Sequence, residues 1–213
     1  MPDEVYRDYG WAESRTRAHD YLLADILKTF EGMNIPRQAK ILDAGCGGGY
    51  IFSKLQEKGY ENIWGIDPSI SGVEVARKES GKTAFRLAVH NAYELLLPPS
   101  FPQHGYDVVL SVEVLEHLYS PSRYLQNICW WLKKGGCLIL TTPYHGYLKN
   151  LAIALLNKAD SHLNPLWEGG HIKFFSRISL FKLMEEAGIE PVSFRGSGRL
   201  PLLWKSMIVS GKK

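Results

Sequence analysis

Lys40-Ile41-Leu42-Asp43-Ala44-Gly45-Cys46-Gly47-Gly48-Gly49-Tyr50 is the stretch on which the reading of this chain turns. An apolar run, Ala39 to Leu42, ends in Asp43, and the glycines then pass the chain into a helix predicted over 50–58. That is a buried strand, a tight turn and a helix N-terminus. Such a turn lets a ligand lie against bare backbone, because glycine has no Cβ and the first helical N–H groups point outward. A dinucleotide fingerprint starting at Gly45 would need its third glycine at position 50, which is Tyr50, so the loop disfavours pyrophosphate. The next apolar run, Asn62 to Ile66, ends in Asp67, at about the 20-residue spacing where an acid accepts ribose hydroxyls.

Outward from this loop the pattern alternates. Strands are predicted over 39–43, 62–66, 84–89, 106–112 and 136–142, with helices over 50–58, 70–80 and 120–132 between them. Strands separated by helices imply parallel pairing through βαβ crossovers, hence an α/β fold. Two closing strands, 190–195 and 203–210, follow a helix over 176–187 without a helix between them, and read as an antiparallel pair at the sheet edge. Ligands in such sheets sit beyond the carboxyl ends of the strands, so Asp43, Asp67, Ser111 and the segment Thr142 to His145 converge on one edge. Ahead of the core, helical spacing over 14–30 with Ser14 as cap predicts one more helix. Tyr6, Tyr9 and Trp11 before it either close over a ligand or pack on the domain edge. Gly81-Lys82-Thr83 lacks the upstream glycine of a phosphate loop, since position 76 is Ala76.

The 213 residues, 45% of them hydrophobic, suit a single domain over 1–213. Within it, residues 1–35 read as an N-terminal helical cap and 146–170 as an insertion covering the substrate. A net charge of +3 provides no basic track, so nucleic acid is not an expected partner and a small-molecule substrate is. Three cysteines without C-x-x-C spacing read as reduced thiols, which suggests a cytoplasmic protein; a monomer or a homodimer is expected. No run approaches the ~18 uninterrupted apolar residues of a membrane span.

The D-x-G-C-G-x-G loop, followed by an acid ending the second strand in Gly65-Ile66-Asp67-Pro68-Ser69, resembles the class I S-adenosylmethionine-dependent methyltransferases. The resemblance implies a Rossmann-like, doubly wound, seven-stranded, mostly parallel sheet with an antiparallel edge hairpin strand. It implies S-adenosyl-L-methionine as cofactor and S-adenosyl-L-homocysteine as product. Asp43, Gly45 and Gly47 would face the amino-acid end of the cofactor, Asp67 with Pro68 its ribose, Asn91 and Ala92 its adenine. Ser111 and Val112 would line the cofactor, and His19 stands where one subgroup has an arginine for the cofactor carboxylate.

Just past the fourth main strand, Glu113, Glu116 and His117 gather two carboxylates and an imidazole. This E-x-x-E-H motif resembles the ubiquinone-biosynthesis O-methyltransferases and the small-RNA 3′-terminal 2′-O-methyltransferases. By resemblance to the second group Glu113, Glu116, His117 and His171 would hold Mg2+. In members of the family that need no metal the acids brace the neighbouring segment and the histidine, here His117, orients substrate or acts as base, and His145 is a rival catalytic base at the cofactor edge. The function expected is O-methylation of a small-molecule hydroxyl beneath an aromatic cover of Tyr144, Tyr147, Trp167, Phe174 and Phe175. The alternatives are RNA ribose 2′-O-methylation, a cofactor-binding protein without turnover, and an NAD-dependent oxidoreductase.

Overall fold

The computed structural model describes Asp8 and residues 10–213, so the readings made for Tyr6 and Tyr9 lie outside it. Strands β1 (Ile41–Ala44), β2 (Ile63–Asp67), β3 (Leu87–Val89), β4 (Tyr106–Val112), β5 (Leu132–Pro143), β6 (Glu190–Ser197) and β7 (Ser206–Lys212) form one sheet in the order β3-β2-β1-β4-β5-β7-β6. β1, β2, β3, β4 and β5 pair in parallel, and β7 runs antiparallel to both β5 and β6. This is the Rossmann-like arrangement expected from the sequence, with the antiparallel strand one place in from the edge.

The inner strands β1 and β4 are near-continuously apolar because both faces are covered. Side chains alternate across β1, so Ile41 joins the core beneath helices α1 (His19–Gly32), α2 (Tyr50–Glu57) and α3 (Ile70–Ser80), while Leu42 and Ala44 join the core on the opposite face. Helices α4 (Pro121–Trp131) and α7 (Arg177–Glu186) supply that second core, with Tyr124, Ile128, Trp131, Leu180 and Met184 buried. Chain order reverses between β1 and β4, which places a crevice beyond their carboxyl ends.

Two local expectations change, and one helix faces an unusual way. The strand predicted from 84 begins only at Leu87, because Gly81 adopts φ 51° and the chain winds through a 3-10 turn, Gly81–Arg86. The first helix starts at His19 rather than Ser14, and Ser14 is instead buried against Gly48. Helix α5 (Tyr147–Leu155), followed by α6 (Ala159–Leu163), turns its leucines outward: Leu148, Leu151 and Leu155 are exposed, and the one buried residue of α5 is Lys149. Among the described residues no helix is long and apolar enough to cross a membrane.

The glycine loop is shaped by its neighbours within the protein. Gly47 has φ 48°, and a Cβ there would stand 2.7 Å from the Trp11 indole. Trp11 is held in place by its own N–H, which donates to Ser71 Oγ at 2.9 Å, so it packs on the loop. The end of β1 is fixed from the other face. The Tyr124 hydroxyl donates to the Ala44 carbonyl at 2.8 Å and lies 2.9 Å from Ser111 Oγ.

Tyr124→Phe leaves that buried carbonyl without its donor, and a loss of about 1–3 kcal/mol is expected in denaturant unfolding. An unchanged midpoint would show that the bond contributes nothing. Gly47→Ala should destabilise the fold through positive φ and the indole contact together, and adding Trp11→Ala should recover the contact part, a coupling of about 1 kcal/mol. Simple additivity of the two losses would remove Trp11 from this contact.

Candidate active site

A cavity of about 1430 Å³ opens at the carboxyl ends of β1, β2, β4 and β5. Asp43, Gly45, Gly47, Asp67, Pro68, Asn91, Ala92 and Val112 all line it, so positions far apart in sequence meet as anticipated. Asp67 is held by the loop itself: Oδ2 accepts the Gly47 N–H and Oδ1 the Ser69 N–H, each at 2.8 Å. Burial pushes its carboxyl up to about 6 in spite of those two bonds. Asp43 is only 2% exposed, and burial, with the neighbouring Asp67 charge, pushes it up to about 7.

Two cofactor positions differ from expectation. Ser111 is fully buried beneath Tyr124 and does not line the cavity, because its side chain points into the core and not beyond the strand end. His19 lines the cavity, but burial lowers its pKa to about 4, its Nδ1 accepts the Thr16 N–H at 3.0 Å, and its ring stacks on Tyr50 at 4.7 Å. It is a neutral imidazole and does not replace an arginine's charge. Arg17, two residues earlier, also lines the cavity and is exposed. Asn91 Oδ1 accepts the Tyr93 N–H at 3.0 Å, which leaves its amide N–H groups for a ligand. Among the described residues, Trp11 Nε1 and His90 Nε2 are buried without a hydrogen-bond partner, on residues that line the cavity. Orphaned buried polar atoms are what a bound polar ligand satisfies.

Beyond β4 the backbone turns sharply, with Glu113 at φ 54°. That turn separates the two acids. Glu113 accepts from Thr141 Oγ1 at 2.8 Å and from Ser206 Oγ at 3.1 Å, and burial pushes its carboxyl above the usual carboxylate range. Glu116 lies in the 3-10 turn Leu115–His117, fully buried, with Thr142 Oγ1 donating to its Oε2 at 2.9 Å. Its Oε1 has no hydrogen-bond partner and stands 4.0 Å from both His117 Nε2 and His171 Nε2.

The backbone explains why His171 arrives here, since the Ile172 and Lys173 N–H groups both donate to the Glu116 carbonyl, at 2.9 and 3.0 Å. His117 Nδ1 lies 3.0 Å from the Gly169 carbonyl and 3.2 Å from that of Gly170. Two acceptors there place the ring proton on Nδ1 and the lone pair on Nε2, toward Glu116. Glu116, His117 and His171 thus form a ligand group with atoms within 4.8 Å of one another, and Glu113 is outside it. Of the four residues anticipated from the motif, the structure brings these three together.

His145 lines the same cavity, its Nδ1 3.4 Å from Asn150 Oδ1 and its ring edge-on to Phe174. Burial lowers its pKa to about 4, with the Lys149 charge adding to the effect. His171 is likewise lowered to about 4, by burial and then by His117. Sequence reasoning did not reach Lys149, His162 or Arg199, which also line the cavity. A lysine among leucines reads as a solvated position, and nothing in the local pattern marks it as inward.

Residues 14–193 match the family model described as a methyltransferase domain. The chain is 33% identical over 168 residues to the ubiquinone biosynthesis O-methyltransferase of Ruegeria sp. (strain TM1040), covering 78% of this chain and 66% of that protein, just under two thirds. The Ruegeria pomeroyi protein of the same name is 32% identical with the same coverage. Among solved structures, magnesium protoporphyrin IX methyltransferase (ChlM) from Synechocystis PCC 6803 with bound SAH superposes with TM-score 0.68 at 16% identity, covering 90% of this chain and 82% of that one. The [4+2]-cyclase SpnF superposes with TM-score 0.69 at 16% identity, covering 100% and 89%. A cyclase and a methyltransferase on one backbone mean that these superpositions establish the fold alone. Family membership rests on the sequence match: the chain belongs to the methyltransferase domain family.

Proposed function

We propose that this chain transfers the methyl group of S-adenosylmethionine to a hydroxyl of a small molecule. The observation that carries the reading is one cavity with two kinds of wall. Its cofactor side has the glycine loop, Asp43 and Asp67, and its far side has Glu113, His117, His171 and His145, with Glu116 buried beside the two imidazoles. The ubiquinone-biosynthesis relatives are named as O-methyltransferases, which supports oxygen as the acceptor atom. The cofactor supplies a methyl group already activated by its sulfonium, so the protein's work is alignment and removal of one proton.

In this reading Asp67 accepts from the ribose hydroxyls through lone pairs its two backbone bonds leave open. Asp43 meets the cofactor's amino group, and Arg17 replaces His19 opposite its carboxylate. His145, held neutral by burial, accepts the hydroxyl proton at Nε2, and residues 146–170 cover the acceptor. Glu116, His117 and His171 would hold a divalent ion, which at that place would lower the pKa of the acceptor hydroxyl. The buried and unpartnered Glu116 Oε1 fits such a role. Two imidazoles and one carboxylate suit a transition dication such as Zn2+ or Mn2+ better than the Mg2+ anticipated from the motif, which takes oxygen ligands. RNA ribose methylation, NAD-dependent oxidation and binding without turnover find no support in the comparisons or the cavity.

Asp43 makes the proposal testable through pH. Its carboxyl titrates near 7 in the free protein, and a bound ammonium favours the ionised form, so binding releases a proton. Affinity for S-adenosylhomocysteine should therefore rise from pH 5 to about pH 7.5, and in Asp43→Asn the slope should flatten. A pH-independent affinity by calorimetry in the native protein would remove Asp43 from the cofactor site. For the ion, Glu116→Gln should weaken Zn2+ or Mn2+ binding about 10- to 100-fold, and excess EDTA should abolish methyl transfer. Full turnover in EDTA would leave His145 as the sole proton acceptor, in which case His145→Asn should abolish it.

A further inference from the structure

Lys149 has no part in the chemistry described so far. It is 4% exposed, although it sits on a helix whose leucines face solvent, and it lines the cavity. Its Nζ donates to the Lys205 carbonyl at 3.2 Å. An ammonium carries three donors, so this single contact is incomplete satisfaction for a buried charge. Among the described residues no carboxylate oxygen comes within ion-pair distance of it. The acid whose charge it feels is Glu113, but both Glu113 oxygens are already engaged by the Thr141 and Ser206 hydroxyls.

The second cation is Arg199, on the turn between β6 and β7, exposed and lining the same cavity. Its charge acts on Lys149: burial first, and then Arg199, bring the Lys149 pKa down to about 8. His162 responds to both cations in the same direction. Two positive groups line the same cavity and repel each other, and the acid whose charge reaches Lys149, Glu113, has both oxygens engaged by hydroxyls. An anion placed there reverses the sign of that interaction and supplies the acceptors that Lys149 lacks.

We propose that Lys149 and Arg199 form an anion subsite at the acceptor end of the cavity, so that the methyl acceptor is a hydroxylated molecule that also carries a carboxylate or phosphate group. This rests on the methyl-transfer reading above and narrows it from any small hydroxyl compound to an acidic one. The acidic group docks on Lys149 and Arg199, and the hydroxyl then lies toward His145 and the Glu116, His117, His171 group. Phe174 and Trp167, which make ring contacts with His145 and with His117 and His171, wall the space between. Lys149 acts as a specificity-determining residue, because the transferred methyl group and the departing proton do not involve it.

The test is calorimetric titration of 3,4-dihydroxybenzoate, phenyl phosphate and catechol into the protein, with and without saturating S-adenosylhomocysteine. At least one anionic probe is expected to bind about tenfold or more tighter than catechol. That preference should collapse in Lys149→Met and in Arg199→Met, while S-adenosylhomocysteine affinity stays within twofold of the native value. Whichever of the two anionic probes wins identifies the acid group. Three results would overturn the subsite: catechol binding as tightly as both anions, no saturable binding of either anion, or a preference that survives both substitutions. A parallel fall in S-adenosylhomocysteine affinity in Lys149→Met would also overturn it, by assigning the cations to the cofactor's own carboxylate. If the native protein binds no S-adenosylhomocysteine, the methyl-transfer reading falls, and the titration without it still decides whether the anion subsite exists.

Discussion

The Asp67 carboxylate is tied by two backbone amides, Gly47 N–H on one oxygen and Ser69 N–H on the other. This one side chain joins the end of β2 to the glycine loop after β1 and to the start of α3, where Ser69 in turn caps the helix by accepting the Gly72 N–H. The ionised carboxylate accepts both bonds more strongly than the neutral acid, so ionisation favours this arrangement of the crevice. Burial works against this by raising its pKa, and the amides work in its favour. A cationic ligand in the crevice would tilt the balance further toward the charged form. Ligand binding and loop geometry are thereby coupled through a single group.

The same economy appears at the other wall. Glu116 is fully buried and Glu113, three residues earlier, is half-buried at the cavity, and two like-charged acids so placed cannot ionise together without cost. Hydroxyls from Thr141, Thr142 and Ser206 answer three of their four oxygens. The fourth, Glu116 Oε1, faces His117 and His171. The motif therefore divides its labour: one acid braces β5 and β7, and the other faces the ligand group.

How much of this was legible in the sequence follows from the range of the interactions involved. The sheet, its order reversal and the convergence of Asp43, Asp67 and Val112 come from short-range periodicity and strand ends, which sequence pattern records directly. Ser111 was misjudged because a strand's last residues alternate between cavity and core, and one position decides which. The charge state of His19, the exclusion of Glu113 from the ligand group and the inward turn of Lys149 are set by tertiary burial and by partners such as Thr16, Ser206 and Lys205, far away along the chain or invisible to helical periodicity. Gly47 was read as making room for a ligand. It also makes room for Trp11, a distinction that glycine, having no side chain, cannot signal.

The position of β7 carries a consequence for synthesis. This strand enters between β5 and β6, and brings Lys205 and Ser206 to the cavity. Until Ser206–Lys212 has been made, one long side of β5 has no partner, Glu113 lacks the Ser206 hydroxyl, and Lys149 lacks the carbonyl it donates to. The nascent chain therefore carries an open sheet edge and two buried-to-be charges without their acceptors or donors, which exposes it to misassembly and to chaperones until β7 has been made. Docking of β7 completes the sheet and the acceptor wall in the same step.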